Sequence, residues 1–157
     1  MTTTKNLHLY TDGACKNNGK ANATGGWAYV LFSPEENKIL LQKAKKVENT
    51  TNQRMELTAA IEALYSLESF LGYDKFTVYS DSAYLINCYN QNWWQGWLRN
   101  GWINSKKEPV ANKELWEKLI PFFKNPNFDF VKVKGHAGHF LNEKVDELAQ
   151  NAARGNK

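Results

Sequence analysis

The sequence is poor in the features that mark secreted and membrane proteins. Its 157 residues include two cysteines, Cys15 and Cys88, which are too few for a disulfide framework. No stretch approaches the ~18 consecutive apolar residues of a membrane-spanning helix. The amino terminus, MTTTKNLHLY, also lacks the basic segment and apolar run of a secretory signal. These absences predict a cytoplasmic protein that does not associate with membranes.

Internal repeats and low-complexity linkers are also missing, so the chain is predicted to form one domain over residues 1–157. The hydrophobic fraction of 42% and the charged fraction of 23% are typical of a globular protein. The net charge of +4 weakly favours a polyanionic partner. Because no coiled-coil pattern or large apolar surface segment is evident, we expect a monomer.

The hydrophobic periodicity predicts an α/β protein. Strands are predicted at residues 6–12, 26–33, 38–48, 75–80 and 128–134, and helices at residues 53–71, 82–89, 112–123 and 142–154. Short connections among the first three strands indicate an antiparallel meander. The later alternation of strands and helices indicates a mixed sheet with helices packed against it.

Four acids lie at positions where chemistry could occur. Asp12 and Asp81 end strands, and Glu56 and Asp146 lie near the starts of predicted helices. If the two strands are adjacent and parallel, both aspartates emerge at one edge of the sheet. Gly13 follows Asp12, where the lack of a Cβ allows a turn or the close approach of a ligand. Taken singly, each acid could instead be a turn residue or a helix cap.

Carboxylates brought together repel one another unless protons or cations intervene. An all-oxygen ligand set suits Mg²⁺, with Mn²⁺ as the alternative. Two such ions ~3.5–4 Å apart can hold the attacking and leaving oxygens of a phosphodiester. We therefore expect the four acids to converge on divalent metal.

Four segments, in this order, resemble the bacterial type 1 ribonuclease H family: YTDGAC, TTNQRMEL, VYSDSAYL and KGHAGHFLNEKVDELA. Enzymes of this family cut the RNA strand of RNA–DNA hybrids. The resemblance runs from about residue 7 to residue 153, and each segment carries its acid in register. It implies the ribonuclease H fold, a five-stranded mixed sheet in which a three-strand antiparallel meander adjoins two parallel strands, flanked by helices. It also implies two-metal hydrolysis that leaves 5′-phosphate and 3′-hydroxyl ends.

The same resemblance assigns roles to individual residues. It implies that the catalytic metal ligands are Asp12, Glu56, Asp81 and Asp146, and that His136 assists in proton transfer or product release. The residues expected to bind the RNA–DNA hybrid are Gly13, Asn18, Thr51, Asn52, Gln53, Trp93, Trp97, Trp102 and Asn112.

Residues 90–112, here called the protrusion, match the family's basic segment that grips the DNA strand. Several positions where cations often stand are neutral in this chain, including Leu98, Asn100 and Ile103. Trp93, Trp97 and Trp102 could stack on the substrate or pack the protrusion together, and the sequence leaves both alternatives open. Trp116 has helical spacing with Leu119 and Ile120, so we expect it in the core.

Two other functions are compatible with parts of the sequence. A different nuclease of the same superfold would share strand-end acids but not the TNQRMEL and GHAGH segments. A catalytically inactive hybrid-binding module would gain nothing from clustered negative charge facing phosphate. A zinc site is disfavoured because the cysteines and histidines lack ligand spacing such as C-x-x-C.

Overall fold

The protein is described by a computed structural model covering residues 4–133 and 140–155. The strands are β1 (Asn6–Lys16), β2 (Thr24–Ser33), β3 (Lys38–Glu48), β4 (Lys75–Ser80) and β5 (Phe128–Lys132). The helices are α1 (Asn52–Tyr65), α2 (Ala83–Asn90), α3 (Trp93–Asn100), α4 (Lys113–Phe123) and α5 (Phe140–Ala153), and a short 3₁₀ helix, Ser66–Ser69, follows α1. Within these described residues, no helix is long and apolar enough to cross a bilayer.

The strands form one sheet in the order β3-β2-β1-β4-β5. β1 pairs antiparallel with β2, and β2 antiparallel with β3, while β4 is parallel to both β1 and β5. The predicted mixed sheet of a meander and two parallel strands is therefore confirmed. β1 and β2 are interior strands of the sheet, and most of the residues in both are buried.

The sheet separates two apolar clusters. Leu7 and Leu9 of β1 pack on the face covered by α1, whose Leu57, Ile61 and Leu64 are buried. On the other face, the alternate β1 residue Tyr10 belongs to a smaller cluster, which α5 covers with Leu141, Val145 and Ala149. α1 and α5 therefore cover the central strands on opposite faces of the sheet. From there, polar residues of either helix can reach an edge of the sheet.

Two glycines allow these helices to approach the sheet closely. A Cβ added to Gly13 would lie 2.5 Å from the Glu56 nitrogen of α1. A Cβ added to Gly26 would lie 2.5 Å from the Ala153 nitrogen of α5. Both distances are shorter than atoms can approach, so the absent side chains set the separation between helix and sheet on both faces.

Gly13 does not turn the chain, and in this respect the expectation of a turn was wrong. β1 continues to Lys16 because its pairing with β2 persists through Lys16 and Thr24. The close approach that Gly13 permits is that of α1.

The helix predicted at residues 53–71 ends earlier, at Tyr65. The Ser66 hydroxyl donates a 2.6 Å hydrogen bond to the Ala63 carbonyl, and the backbone tightens there into the 3₁₀ helix. Leu71, the last residue of the predicted helix, lies outside α1 and is 89% exposed. Trp116, by contrast, is fully buried, as predicted.

Candidate metal-binding active site

The parallel register of β1 and β4 brings two of the predicted acids together. The last pair between these strands is Tyr10 and Tyr79, and the Thr11 hydroxyl donates to the Tyr79 carbonyl at 3.2 Å. Asp12 and Asp81 each follow two residues beyond that pair. Beyond that pair, β1 stays with β2 through Lys16, and β4 stays with β5 through Ser80 and Lys132. β1 and β4 therefore separate at this point. The two aspartates therefore emerge side by side where the sheet opens.

Neither Asp81 nor Glu56 serves as a helix cap. The Ser82 hydroxyl caps α2 by accepting from the Leu85 nitrogen at 3.2 Å. The Thr51 hydroxyl caps α1 by accepting from the Arg54 nitrogen at 3.1 Å. The capping alternative that the sequence left open for these two acids is therefore excluded.

Asp12, Glu56 and Asp81 form a compact carboxylate cluster. Each contributes an oxygen, and these oxygens lie within 4.8 Å of one another. Asp12 is 3% exposed and Glu56 is 7% exposed, whereas Asp81 is half-buried. Asp146 lies beside this cluster, close enough to Asp12 for its carboxyl group to contribute to the raised pKa of that residue. The structure thus gathers three of the predicted acids into one cluster and places the fourth next to it.

Asp146 reaches the cluster from a different place on its helix than expected. The sequence placed it near the start of a helix, but α5 begins at Phe140, so Asp146 lies about two turns inside it. The last turn of α5, at residues 149–153, packs closely on Gly26, and Asp146 lies about one turn before this contact.

Burial and mutual repulsion raise the pKa of both enclosed acids. For Asp12 the main cause of the raised pKa is loss of hydration, followed by the nearby charges of Glu56 and Asp81. For Glu56 the pKa is raised first by burial and then by Asp81. In the absence of a cation, these carboxyls are therefore driven toward their protonated forms.

The cluster has the properties of a cation site. The buried Glu56 Oε2 atom has no hydrogen-bond partner among the described residues. Among the described residues, the ion pairs are Lys46–Glu48 and Arg54–Glu114, and neither involves these acids. Clustered carboxylate oxygens without a compensating basic side chain are a ligand set suited to Mg²⁺ or Mn²⁺.

A polar rim surrounds the amino terminus of α1. The side-chain Oδ1 of Asn18 accepts from the Asn52 backbone nitrogen at 3.0 Å, which ties the β1–β2 connection to the helix. Asn18, Asn52 and Gln53 are exposed. Asn52 and Gly13 also line an open cleft of about 300 Å³ together with Asp146. The structure therefore places these predicted substrate-binding residues beside the carboxylate cluster.

The protrusion uses two of its three candidate tryptophans for packing. Trp97 stacks on Trp102 with ring centroids 5.7 Å apart and contacts the buried Trp116 at 5.5 Å. Trp93 is 37% exposed and lines an open groove of about 510 Å³ with Trp97. Of the three, Trp93 presents the most accessible ring.

Asn112 lies in a polar network that joins three helices. Its side chain accepts from Arg54 of α1 at 3.0 Å and donates to the Tyr84 hydroxyl of α2 at 3.2 Å. The Trp116 indole nitrogen of α4 donates to the same hydroxyl at 3.3 Å. Sequence reasoning missed Arg54 and Tyr84, since their partners are distant in the chain.

Another missed residue is Gln150, whose amide nitrogen donates to both oxygens of Asp146 at 3.2 Å. The sequence did contain a signal, because residues four apart on a helix lie on one face. His136, the predicted proton-transfer residue, lies outside the described residues.

The fold and the carboxylate cluster together define a class of α/β proteins with an acidic site, suited to a divalent cation, at the edge of a mixed sheet. The family model described as RNase H matches residues 4–154. The Ribonuclease H of Syntrophomonas wolfei is 47% identical over 150 residues, covering 96% of this chain and 97% of its own. The chain belongs to the ribonuclease H family, and the predicted resemblance to the bacterial type 1 enzymes is confirmed.

Solved structures agree with this assignment. LC9-RNase H1, described as a type 1 RNase H with the type 2 active-site motif, has a TM-score of 0.77 at 27% identity, over 100% of this chain and 76% of its own. LC11-RNase H1, solved in complex with an RNA/DNA hybrid, has a TM-score of 0.70 at 26% identity, over 95% of this chain and 97% of its own.

Proposed function

We propose that this protein is a divalent-metal-dependent endonuclease that hydrolyses the RNA strand of RNA–DNA hybrids. The observation that carries the proposal is the buried carboxylate cluster, which lies where β1 and β4 separate and has no compensating basic side chain among the described residues. Negative charge arranged in this way repels nucleic acid unless cations intervene, so the site suits catalysis better than passive binding.

Asp12, Glu56, Asp81 and Asp146 would hold the cations. When bound, two divalent ions supply a nucleophile at neutral pH and stabilise the leaving 3′ oxygen. The residues themselves provide a partly buried, preorganised oxygen surface. In this proposal the products carry 5′-phosphate and 3′-hydroxyl ends, and His136 remains the candidate for proton transfer or product release.

The exposed amides around α1 would recognise the RNA strand. Asn18, Asn52 and Gln53 offer donors and acceptors beside the cluster, and the 2′-hydroxyl is the group that distinguishes RNA from DNA. Thr51 lies at the amino terminus of the same helix, where the dipole and the first backbone N–H groups favour phosphate.

The protrusion would contact the DNA strand, with the exposed Trp93 ring as its accessible aromatic surface.

The protein is proposed to act as a monomer in the cytoplasm, where its unpaired Cys15 and Cys88 would remain reduced.

The test is cleavage of an RNA–DNA hybrid labelled on the RNA, with Mg²⁺ and with chelator. RNA–RNA and DNA–DNA duplexes serve as parallel substrates. We expect cutting of the RNA in the hybrid alone, abolished by chelator and restored by Mg²⁺ or Mn²⁺. Cleavage of the DNA duplex would instead indicate another nuclease of this superfold. Metal-independent binding without cleavage would indicate a hybrid-binding module.

A further inference from the structure

Asp146 differs from the other acids in how it is held. Asp12 is buried on a central strand and Glu56 is buried on α1, whereas Asp146 is half-buried on α5 and borders the open cleft. Both of its oxygens accept from the Gln150 amide nitrogen, at 3.2 Å each. These two bonds from Gln150 constrain the plane of the Asp146 carboxylate.

The orientation of the Gln150 amide is itself determined by its neighbours. The Arg154 guanidinium donates to the Gln150 carbonyl oxygen at 3.2 Å. An arginine can only donate, and an ionised carboxylate can only accept. The amide must therefore point its nitrogen toward Asp146 and its oxygen toward Arg154. A second bond, from Arg154 to the Asn151 carbonyl oxygen at 3.1 Å, steadies the guanidinium.

We propose that Gln150 is a positioning residue that holds Asp146 in the orientation needed to bind a divalent cation, and that Arg154 fixes the amide that does so. This proposal rests on the proposed function, in which Asp146 is a metal ligand. Residues that hydrogen-bond to metal ligands orient them and affect metal affinity without touching the ion.

The neutrality of Gln150 is central to this role. A lysine or arginine in direct contact with Asp146 would offset the negative charge that attracts the cation. An amide supplies the hydrogen bonds without that charge. The positive charge of Arg154 lies four residues beyond Gln150, about one helical turn further along, with the amide between it and the carboxylate.

The test compares Gln150→Ala with Asn151→Ala as a matched control. Asn151 carries a similar amide on the same helix and also contacts Arg154, but it has no bond to Asp146 in the described structure. Binding of Mn²⁺ to the full-length protein without nucleic acid is measured by electron paramagnetic resonance, and binding of Mg²⁺ by calorimetry. For Gln150→Ala we expect about tenfold weaker metal binding. For Asn151→Ala we expect a change of less than about twofold, since its link to Asp146 is indirect.

Arg154 variants test the second part of the proposal. Arg154→Met removes the donor to Gln150 but keeps much of the stem, and we expect roughly two- to threefold weaker metal binding because this contact is exposed. Arg154→Lys keeps a donor and should restore most of that loss. Circular dichroism and metal-free melting temperatures should be nearly the same for all variants.

Unchanged metal binding in Gln150→Ala, while the wild type binds metal and cleaves the hybrid, would overturn the positioning role and leave the proposed function intact. Equal losses in Gln150→Ala and Asn151→Ala would also overturn it, because they would indicate a general disturbance of α5. A wild-type protein that neither binds metal nor cleaves the hybrid would overturn both proposals.

Discussion

At the scale of single residues, Asp12 shows how a carboxylate useful for chemistry can oppose folding. It is 3% exposed, and its neighbours Glu56 and Asp81 carry charge of the same sign. The repulsion is relieved by a proton or by a cation. The residues that would attract metal are therefore the ones that destabilise the metal-free protein.

The first prediction concerns Asp12→Asn. The amide keeps the shape of the side chain but removes its charge, so the metal-free variant should gain on the order of 1–2 kcal/mol, or ~2–8 °C in melting temperature. Hybrid cleavage should fall at least ~100-fold because a metal ligand is weakened. Calorimetric melting in chelator and a cleavage assay measure the two effects. A fully active Asp12→Asn variant would contradict the proposed role of Asp12 as a metal ligand.

The second prediction concerns pH. The folded-state pKa values of Asp12 and Glu56 lie above their ordinary values of 3.8 and 4.5. The stabilisation from their protonated forms is therefore fully present below about pH 4 and is lost as the pH rises through the folded-state pKa values. In the absence of metal, wild type should lose stability relative to Asp12→Asn as the pH rises from about 4 toward the raised pKa of Asp12, about 10.

Urea denaturation of both proteins in chelator across this range gives the difference in the free energy of unfolding. Because the other titrating groups are common to both proteins, most of their contribution cancels. A difference that stays constant with pH would contradict the raised pKa of Asp12.

At the scale of secondary-structure elements, the separation between β1 and α1 determines where Glu56 lies. The third prediction is that Gly13→Ala destabilises the protein by about 1–3 kcal/mol, because the added methyl group overlaps the backbone of α1. Displacing Glu56 should also reduce cleavage roughly 10- to 100-fold.

Gly96→Ala is the matched control for stability. Gly96 lies inside α3, and a Cβ there would meet no atom within 4 Å. This substitution should be neutral or stabilising by up to about 1 kcal/mol. Urea denaturation of both variants checks the comparison, and equal effects at the two positions would contradict the role given to Gly13.

The fourth prediction concerns the network between α1, α2 and α4. Tyr84→Phe removes the hydroxyl that accepts from Asn112 and from the fully buried Trp116. A buried donor left without a partner costs about 1–2 kcal/mol. Tyr65→Phe, at a tyrosine that is 46% exposed, should change stability by less than about 0.5 kcal/mol in the same denaturation experiment.

Most elements could be predicted from the sequence because each leaves a local pattern. Alternation of apolar and polar residues predicted β1, and helical spacing of apolar residues predicted α1 and α4. The end of α1 was missed because Ser66 takes up the Ala63 carbonyl, an interaction that periodicity does not reveal. The role of Gly13 was misjudged as a turn because its partner, α1, lies about forty residues away in the chain.

At the scale of the whole molecule, the proposed function couples folding to metal binding. The fifth prediction is that Mg²⁺ at ~100 times its dissociation constant raises the stability of the wild type by ~2.7 kcal/mol, or roughly 5–10 °C in melting temperature. Asp12→Asn should show a much smaller increase.

Melting curves across a range of Mg²⁺ concentrations measure this coupling, and matched ionic strength with NaCl controls for screening. An equal shift with NaCl would indicate screening of the acidic cluster as a whole. That outcome would argue against a defined cation site.

The four acids could be identified from the sequence because each lies in a recognisable local segment. Their convergence in space was a hypothesis that the sequence could not test. It depends on the register of β1 and β4 and on helices packed on opposite faces of the sheet. The contact between Gln150 and Asp146 was missed, although its spacing of four is visible in the sequence. The tertiary network of Asn112 gave no such local signal.

The two close-packed glycines have a consequence for mutational tolerance. Gly13 and Gly26 carry no functional group, yet each sets the distance at which a helix bearing one of the four acids meets the sheet. A deep mutational scan scored by cellular fitness should therefore show intolerance at these positions comparable to that at the acids. For redesign, the diameter of the site would be changed most directly at residues that contribute no side chain to it.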